Sequence, residues 1–313
     1  MSAASGVGAG GTVCVIGSFM MDLTVEAPRR PQPGETLRGT AFRQTTGGKG
    51  YNQAVAAART GARTLLLGAL GKDDFAAQFR ASLTAEGIDH SGVLTDAAQG
   101  TGVAQLLVEP SGQNSIVIVP RANLSWQVSD VRAQAGAIGQ ASVVLTQFEV
   151  PMECVLEVAR TAHHAGATMV VNPAPYAEMP PELLQYTDVL TPNETELLAI
   201  VDSDDDSTEG ITAAATDLAG RSGLTVVATL GSRGALVAAP GQAGVLVPGR
   251  TVKAIDTVGA GDVFCGNLVA ALARGEDLAA AVRVANVAAS ISVTRPGGGP
   301  SAPYLAETLS ALG

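Results

Sequence analysis

The sequence predicts an α/β protein with a mostly parallel central sheet, and three observations carry that expectation. Short apolar runs recur along the chain, among them TVCVIGS, TLLLGALG, SVVLTQFE, TMVVNPAP, TDVLTPNE and LTVVATLG. Stretches with helical spacing of apolar residues separate them, as βαβ units require. Polar or flexible residues stand at the ends of these runs or in the loops that follow, at Asp22, Glu149, Asn172, Asn193 and Gly231. In such sheets ligands gather at the carboxyl ends of the strands.

Residues 1–11, MSAASGVGAGG, lack the basic start and apolar middle of a secretory signal and read as a mobile tail. Gly6, Gly8 and Gly11 have GxGxxG spacing, but the strand that a dinucleotide motif needs before it comes after, so the glycines read as linker. TVCVIGS is then a buried strand, and the Pro- and Gly-rich segment EAPRRPQPGETLRGTAF leads to GGKG. YNQAVAAARTGA reads as a helix closed by Gly61, and TLLLGALG as one fully buried strand. A helix DFAAQFRASLTAEG ends at Gly87, and PSGQ joins GVAQLLVE to SIVIVP as a hairpin.

The chain has 313 residues, enough for one large domain or two smaller ones. Its net charge of -10, from 19 basic and 29 acidic residues, argues against a general attraction to nucleic acid or an anionic membrane. No apolar run approaches the roughly 18 residues of a membrane span. A small polar partner fits better. Cys14, Cys154 and Cys265 are far apart among apolar or small neighbours, read as reduced core thiols, and favour the cytoplasm. DSDDDS, residues 202–207, lacks the ligand spacing of a calcium loop and reads as a solvated loop. His163 and His164 have no metal-ligand partner at helical spacing, and Trp126 reads as packing near a hinge.

The stretch DTVGAGD, residues 256–262, carries the chemistry. Phe264, Leu268, Ala271 and Leu272 follow at helical spacing up to Gly275, so GAGD is a helix entrance. The first amides of a helix have no partner within it and form a ready anion site. Glycine and alanine leave that backbone open to a ligand. A carboxylate beside a bound phosphate is repelled by it, so Asp262 calls for a compensating role such as general base in phosphoryl transfer. Taken alone, the residues fit a plain helix start equally well.

Together, GGKGYNQAVAAARTGA (47–62), NPAP (172–175), TPNETE (191–196), TLGSRG (229–234) and DTVGAGDVF (256–264) resemble the ribokinase branch of the PfkB sugar-kinase family. The resemblance runs in order from about Val13 to the C-terminus. It implies a doubly wound α/β core from residues 12–18, 46–98 and 124–313, with a discontinuous β-lid from 19–45 and 99–123, often clasped with a second lid in a homodimer. It also implies transfer of the ATP γ-phosphate to a primary hydroxyl of a sugar.

The resemblance makes Asp262 the catalytic base and Gly259, Ala260 and Gly261 the anion hole. Met20, Asp22, Gly48, Lys49, Asn52 and Glu149 match the sugar site. Thr229, Gly231 and Ser232 match the nucleotide site, Asn286 lies where the adenine pocket closes, and Asn193 and Glu196 match the region that holds magnesium and the phosphates through water. Asp256, Val258, Ser292, Arg295, Gly297 and Ser301 match the site of a monovalent, potassium-type cation. There is no Walker A motif.

Three positions depart from the ribokinase pattern. Met20 stands where ribokinases usually carry a sugar-contacting Asn and where deoxyribose kinases resemble this chain, so ribose and 2-deoxyribose are both expected substrates, with Met20 as lid packing the other reading. Tyr51 replaces a small residue, and Arg121 replaces a common Gly, either to meet an anionic substrate group or to face solvent. A kinase for a nucleoside or ketohexose, and a sugar-binding regulator without catalysis, are the alternatives.

Overall fold

The computed structural model describes residues 11–312. Its main sheet has eight strands in the order Val245–Pro248, Gly234–Ala238, Thr225–Thr229, Val189–Leu190, Thr168–Val171, Val143–Thr146, Thr12–Ile16 and Arg63–Leu67. From Thr225–Thr229 to Arg63–Leu67 all pairings are parallel; the two strands at the other edge are antiparallel.

Successive side chains of these strands enter two different cores. Cys14, Ile16, Val144 and Val171 pack on one face with Val158 and Leu218, while Val13, Val15, Val143 and Val170 pack on the other with Val55 and Leu268. That alternation is the period of an extended strand, and coverage on both faces is why the strands read as unbroken apolar runs. All three cysteines are free and buried.

The run TLLLGALG, expected as one strand, is two. Arg63–Leu67 joins the main sheet, whereas Ala69–Leu70 pairs with Leu94–Thr95 in a separate sheet. Gly68 marks the break, where a Cβ would stand 2.3 Å from the Gly17 carbonyl oxygen, so the chain turns where it crosses the end of the first strand.

A four-stranded sheet stands apart, in the order Ala41–Gly47, Met20–Glu26, Gly102–Val108 and Asn114–Val119. Its last two strands form the expected antiparallel hairpin. Met20–Glu26 runs parallel to Gly102–Val108, so the sheet is assembled from two distant segments. The amide of Gly11 donates to the Ala273 carbonyl at 3.0 Å; the rest of the expected tail, including Gly6 and Gly8, lies outside the described residues. His163 and His164 are exposed beside the Tyr186 ring, and Trp126 is buried. Among the described residues no helix is long and apolar enough to cross a membrane.

Candidate active site

Two helix entrances meet at Asp262. Helix Ala260–Ala273 starts from Gly259, whose φ of 74° is left-handed and whose Cβ, if present, would stand 2.6 Å from the Gly298 Cα. Helix Lys49–Arg59 starts from Gly48, with φ of 94° and a position where a Cβ would meet the Met20 amide nitrogen at 2.7 Å. Only glycine meets both demands at either place. Asp262 is 6% exposed. Asn52 Nδ2 donates to its Oδ2 at 2.9 Å, and Gln53 Nε2 donates to its Oδ1 at 3.1 Å.

Gln53 is absent from the residues the sequence singles out. Its Nε2 also reaches Asn172 Oδ1 at 3.1 Å, Asn172 Nδ2 donates to the Thr191 carbonyl at 2.8 Å, and Gln147 Nε2 donates to Gln53 Oε1. The available signal was two consecutive amide side chains, Asn52 and Gln53, in an otherwise alanine-rich helix.

A cavity of about 500 Å³ opens on this centre. Lys49, Asn193, Glu196, Thr229, Gly231, Ser232, Gly259, Ala260, Gly261 and Asp262 all line it, from four different chain segments. Asn286 does not: its side-chain amide donates to the Val247 carbonyl at 3.1 Å and holds the edge strand instead. The wall there comes one turn later, from Ala289, Ser290 and Val293, facing Arg250, Val252 and Ala254. These wall residues are mostly small and apolar, which no motif distinguishes from core.

The other expected sugar residues cluster on the lid side of Asp262. Glu149 accepts from the Lys49 amide at 3.0 Å and from the Ser18 hydroxyl. The Asp22 carboxylate lies against Gly47, where a Cβ would be 2.4 Å from Oδ2. Met20 is buried, its Sδ 3.7 Å from Asn123 Nδ2.

Charge is concentrated here. Burial, with Glu149 and Asp262 nearby, pushes the Asp22 carboxyl up to about 7. Burial is the largest influence on Lys49 and disfavours its charge, yet Asp262, Glu149 and Glu196 hold the ammonium above its ordinary value. Burial also raises Glu196, against the Asn193 amide and Lys49. Cys265 reaches the cavity, but burial pushes its thiol up to about 12, so it is no nucleophile.

Asn193 and Glu196 form a reciprocal cap: the Glu196 amide donates to Asn193 Oδ1 at 2.8 Å, and the Asn193 amide to Glu196 Oε2 at 2.9 Å. The second Glu196 oxygen is not used by this cap. Asp256 accepts from the Val258 amide at 3.0 Å and from the Gly297 amide at 2.9 Å, tying together the two loops that contain the expected cation ligands. Ser292 and Ser301 donate their hydroxyls to the Ala289 and Gly298 carbonyls. The Arg295 guanidinium pairs with Glu307, which leaves its backbone oxygen as the group it can offer a cation. Among the described residues no three His, Cys, Asp or Glu side chains gather as metal ligands.

Neither Tyr51 nor Arg121 enters the cavity. Tyr51 is buried, accepts from the Thr46 hydroxyl at 3.0 Å, bonds the Ser82 hydroxyl at 2.6 Å and packs edge-on to Phe79. Arg121 adopts a left-handed φ of 49°, and its guanidinium folds back over Gly100 and donates to the Thr101 carbonyl at 3.2 Å. It braces the lid's base rather than reaching a ligand.

A doubly wound core, a separate sheet beside two meeting helix entrances and a buried carboxylate at one of those entrances are the features of a lidded α/β phosphotransferase. A family model described as pfkB family carbohydrate kinase matches residues 11–305. A ribokinase of Haemophilus influenzae is 36% identical over 301 residues, covering 96% of this chain and 98% of that one. A deoxyribokinase of Salmonella typhi is 34% identical over 296 residues, covering 94% of this chain and 96% of that one. The structure of Arabidopsis thaliana ribokinase complexed with ribose and ATP matches with a TM-score of 0.90 at 30% identity, over 97% of this chain and 99% of that one. The chain belongs to the pfkB family of carbohydrate kinases, in its ribokinase branch.

Proposed function

We propose that the protein is an ATP-dependent pentose kinase that phosphorylates the 5-hydroxyl of ribose or 2-deoxyribose, with Asp262 as general base. One observation carries this reading: Asp262, bonded through both carboxylate oxygens, stands where the lid-side cluster of Asp22, Lys49 and Glu149 meets the cavity lined by the helix entrance. The sugar oxygen attacks the γ-phosphorus of ATP, the bond from that phosphorus to the ADP oxygen breaks, and the hydroxyl proton passes to Asp262. The Gly259 and Gly261 amides at this helix entrance would meet the charge that develops without reorganisation during the reaction, and the Ala260 amide, which donates to the Thr257 carbonyl at 3.3 Å, would join them by leaving that long bond.

Asp22 and Glu149 accept from sugar hydroxyls, and Lys49 and Asn52 donate to the sugar. Asn193, Thr229, Gly231 and Ser232 hold the nucleotide. Glu196, with its second oxygen outside the cap, suits magnesium bound through water, where the ion would neutralise phosphate charge. The oxygen-only donor set around Asp256 suits a potassium-type ion that would brace the anion hole. The lid's exposed apolar residues, Phe42 at 63% and Val117 at 65%, support a homodimer clasped through the lid. Three buried free thiols suit the reducing cytoplasm.

The test is coupled ATP turnover with ribose, 2-deoxyribose, a nucleoside and a ketohexose, with magnesium and potassium present. Turnover with a pentose that disappears in Asp262→Asn supports the reading. A clear preference for the nucleoside or ketohexose replaces the substrate, and tight sugar binding without turnover of any of them identifies a regulator.

A further inference from the structure

We infer that Gln53, held in place by Gln147, is a positioning residue that orients Asp262 for proton transfer. The inference rests on the proposed role of Asp262 as base. Its ground is that the acceptors around that carboxylate permit a single set of amide orientations in the buried chain of side chains, at the cost of one unpaired oxygen on Gln147.

A carboxylate only accepts, so the amide atoms facing it are nitrogens. Asn52 agrees independently, because its other atom, Oδ1, accepts from the Gly299 amide at 2.8 Å. Gln53 has its nitrogen between Asp262 Oδ1 and Asn172 Oδ1, and Asn172 is itself oriented by the acceptor-only Thr191 carbonyl. The oxygen of Gln53 must therefore face Gln147, which meets it with its nitrogen. That leaves Gln147 Oε1 buried without a partner among the described residues.

An orphaned buried acceptor is a cost, and here it accompanies a fixed orientation of Gln53. Gln53 itself is 0% exposed on a helix whose neighbours are mostly alanine, where an apolar residue would be the cheaper occupant. The two helices are held at contact distance as well: a Cβ on Gly266 would stand 2.4 Å from the Gln53 carbonyl oxygen. With Asn52 on one oxygen and Gln53 on the other, the Asp262 carboxyl plane has little rotational freedom, and Gln53 donates at every working pH because an amide does not titrate there.

The charged and titratable groups that face Asp262 are Lys49 from the same helix as Gln53, Asp22 from the lid, Glu196 from helix Glu194–Val201 and Cys265 from its own helix. All persist when Gln53 or Gln147 is replaced. Taking away an amide donor favours the protonated carboxyl, so the acid limb of kcat moves to higher pH.

The experiment compares full-length wild type, Asp262→Asn, Gln53→Met and Gln147→Met by kcat, KM, the pH profile of kcat and thermal unfolding. Wild-type turnover and its loss in Asp262→Asn test the underlying role of Asp262, separately from Gln53. Gln53→Met is expected to lower kcat about 10- to 100-fold while KM for ATP and pentose stays within about threefold, with the acid limb displaced upward. Gln147→Met should move kcat and the limb the same way by less. An unchanged kcat in Gln53→Met, or a loss that follows thermal instability with an unmoved acid limb, overturns the inference. Should Gln53→Met not fold, Gln147→Met decides it: wild-type kcat and limb overturn the role, and a displaced limb supports it.

Discussion

Asn52 and Asp262, 210 positions apart, are joined by a bond of 2.9 Å between Nδ2 and Oδ2. Each lies in the first turn of its helix, so this bond fixes one helix entrance against the other. Because the Asn52 oxygen is bound to Gly299, the same side chain also ties in the loop beside the expected cation site. Asp262, the start of the facing helix and the Gly299 loop are thus one hydrogen-bonded unit.

Asp262→Asn should lower kcat by about a thousandfold, within the range for losing a general base. ATP affinity should stay within about threefold, since the residues proposed to hold the nucleotide line the cavity from other segments. The new amide also turns one N–H toward a donor, either Asn52 or Gln53, so stability should fall by about 1 kcal/mol. Coupled turnover, ATP calorimetry and thermal unfolding check the three expectations.

Asp22 should give the sugar-free protein a pH-dependent stability. Its folded value of about 7 lies above the ordinary 3.8, so between those two the folded state binds more protons than the unfolded one. Stability therefore falls as pH rises from about 4 to about 7. Asp22→Asn should flatten that part of the unfolding curve and be more stable than wild type, relative to pH 4, once pH exceeds 7. Sugar binding should run the other way: wild-type KM for pentose falls as Asp22 ionises, and the variant's KM is higher and flat with pH.

The parallel strands could be read in the sequence because burial on both faces makes them apolar throughout. Strand Ala41–Gly47 could not, since only Gly47 is buried and no alternation marks it. Val245–Pro248 is similar, an edge strand with a single buried residue. GAGD was legible because a left-handed turn into a helix selects glycine. Gln53 was not, because glutamine in a helix is ordinarily compatible with solvent; its burial is set by partners 94 and 209 positions away. Asn286 is a polar residue at the expected place whose amide is used on the Val247 carbonyl, a partner 39 positions away that no local pattern announces.

Tyr51→Phe should separate scaffold from specificity. The phenol oxygen bonds Thr46 at the foot of the lid and Ser82 on helix Asp74–Ala85, while the ring packs on Phe79. Removing the hydroxyl should cost about 1 kcal/mol of stability, and the two partner hydroxyls are left to find each other. KM for the pentose should stay within about twofold, because the ring and its contacts stay in the core and no sugar contact is removed. A large change in sugar preference would instead mean that Tyr51 sets the site's shape through the lid.

Met20→Asn should shift the choice between the two pentoses. The present side chain is 3% exposed, and its sulfur is the only atom it offers to Asn123 Nδ2, a weak acceptor at 3.7 Å. A deoxy carbon loses nothing beside such a thioether. Asparagine in the same place brings buried polar atoms that are satisfied by the ribose 2-hydroxyl and unpaired with 2-deoxyribose. The ratio of kcat/KM for ribose to that for 2-deoxyribose should then rise by about tenfold. Asn123 also clasps the Phe19 backbone from both sides, accepting from its amide at 2.9 Å and donating to its carbonyl at 2.8 Å, so the strand stays in place when the sulfur is removed. An unchanged ratio, with only a lower unfolding temperature, would make Met20 a packing residue under the lid.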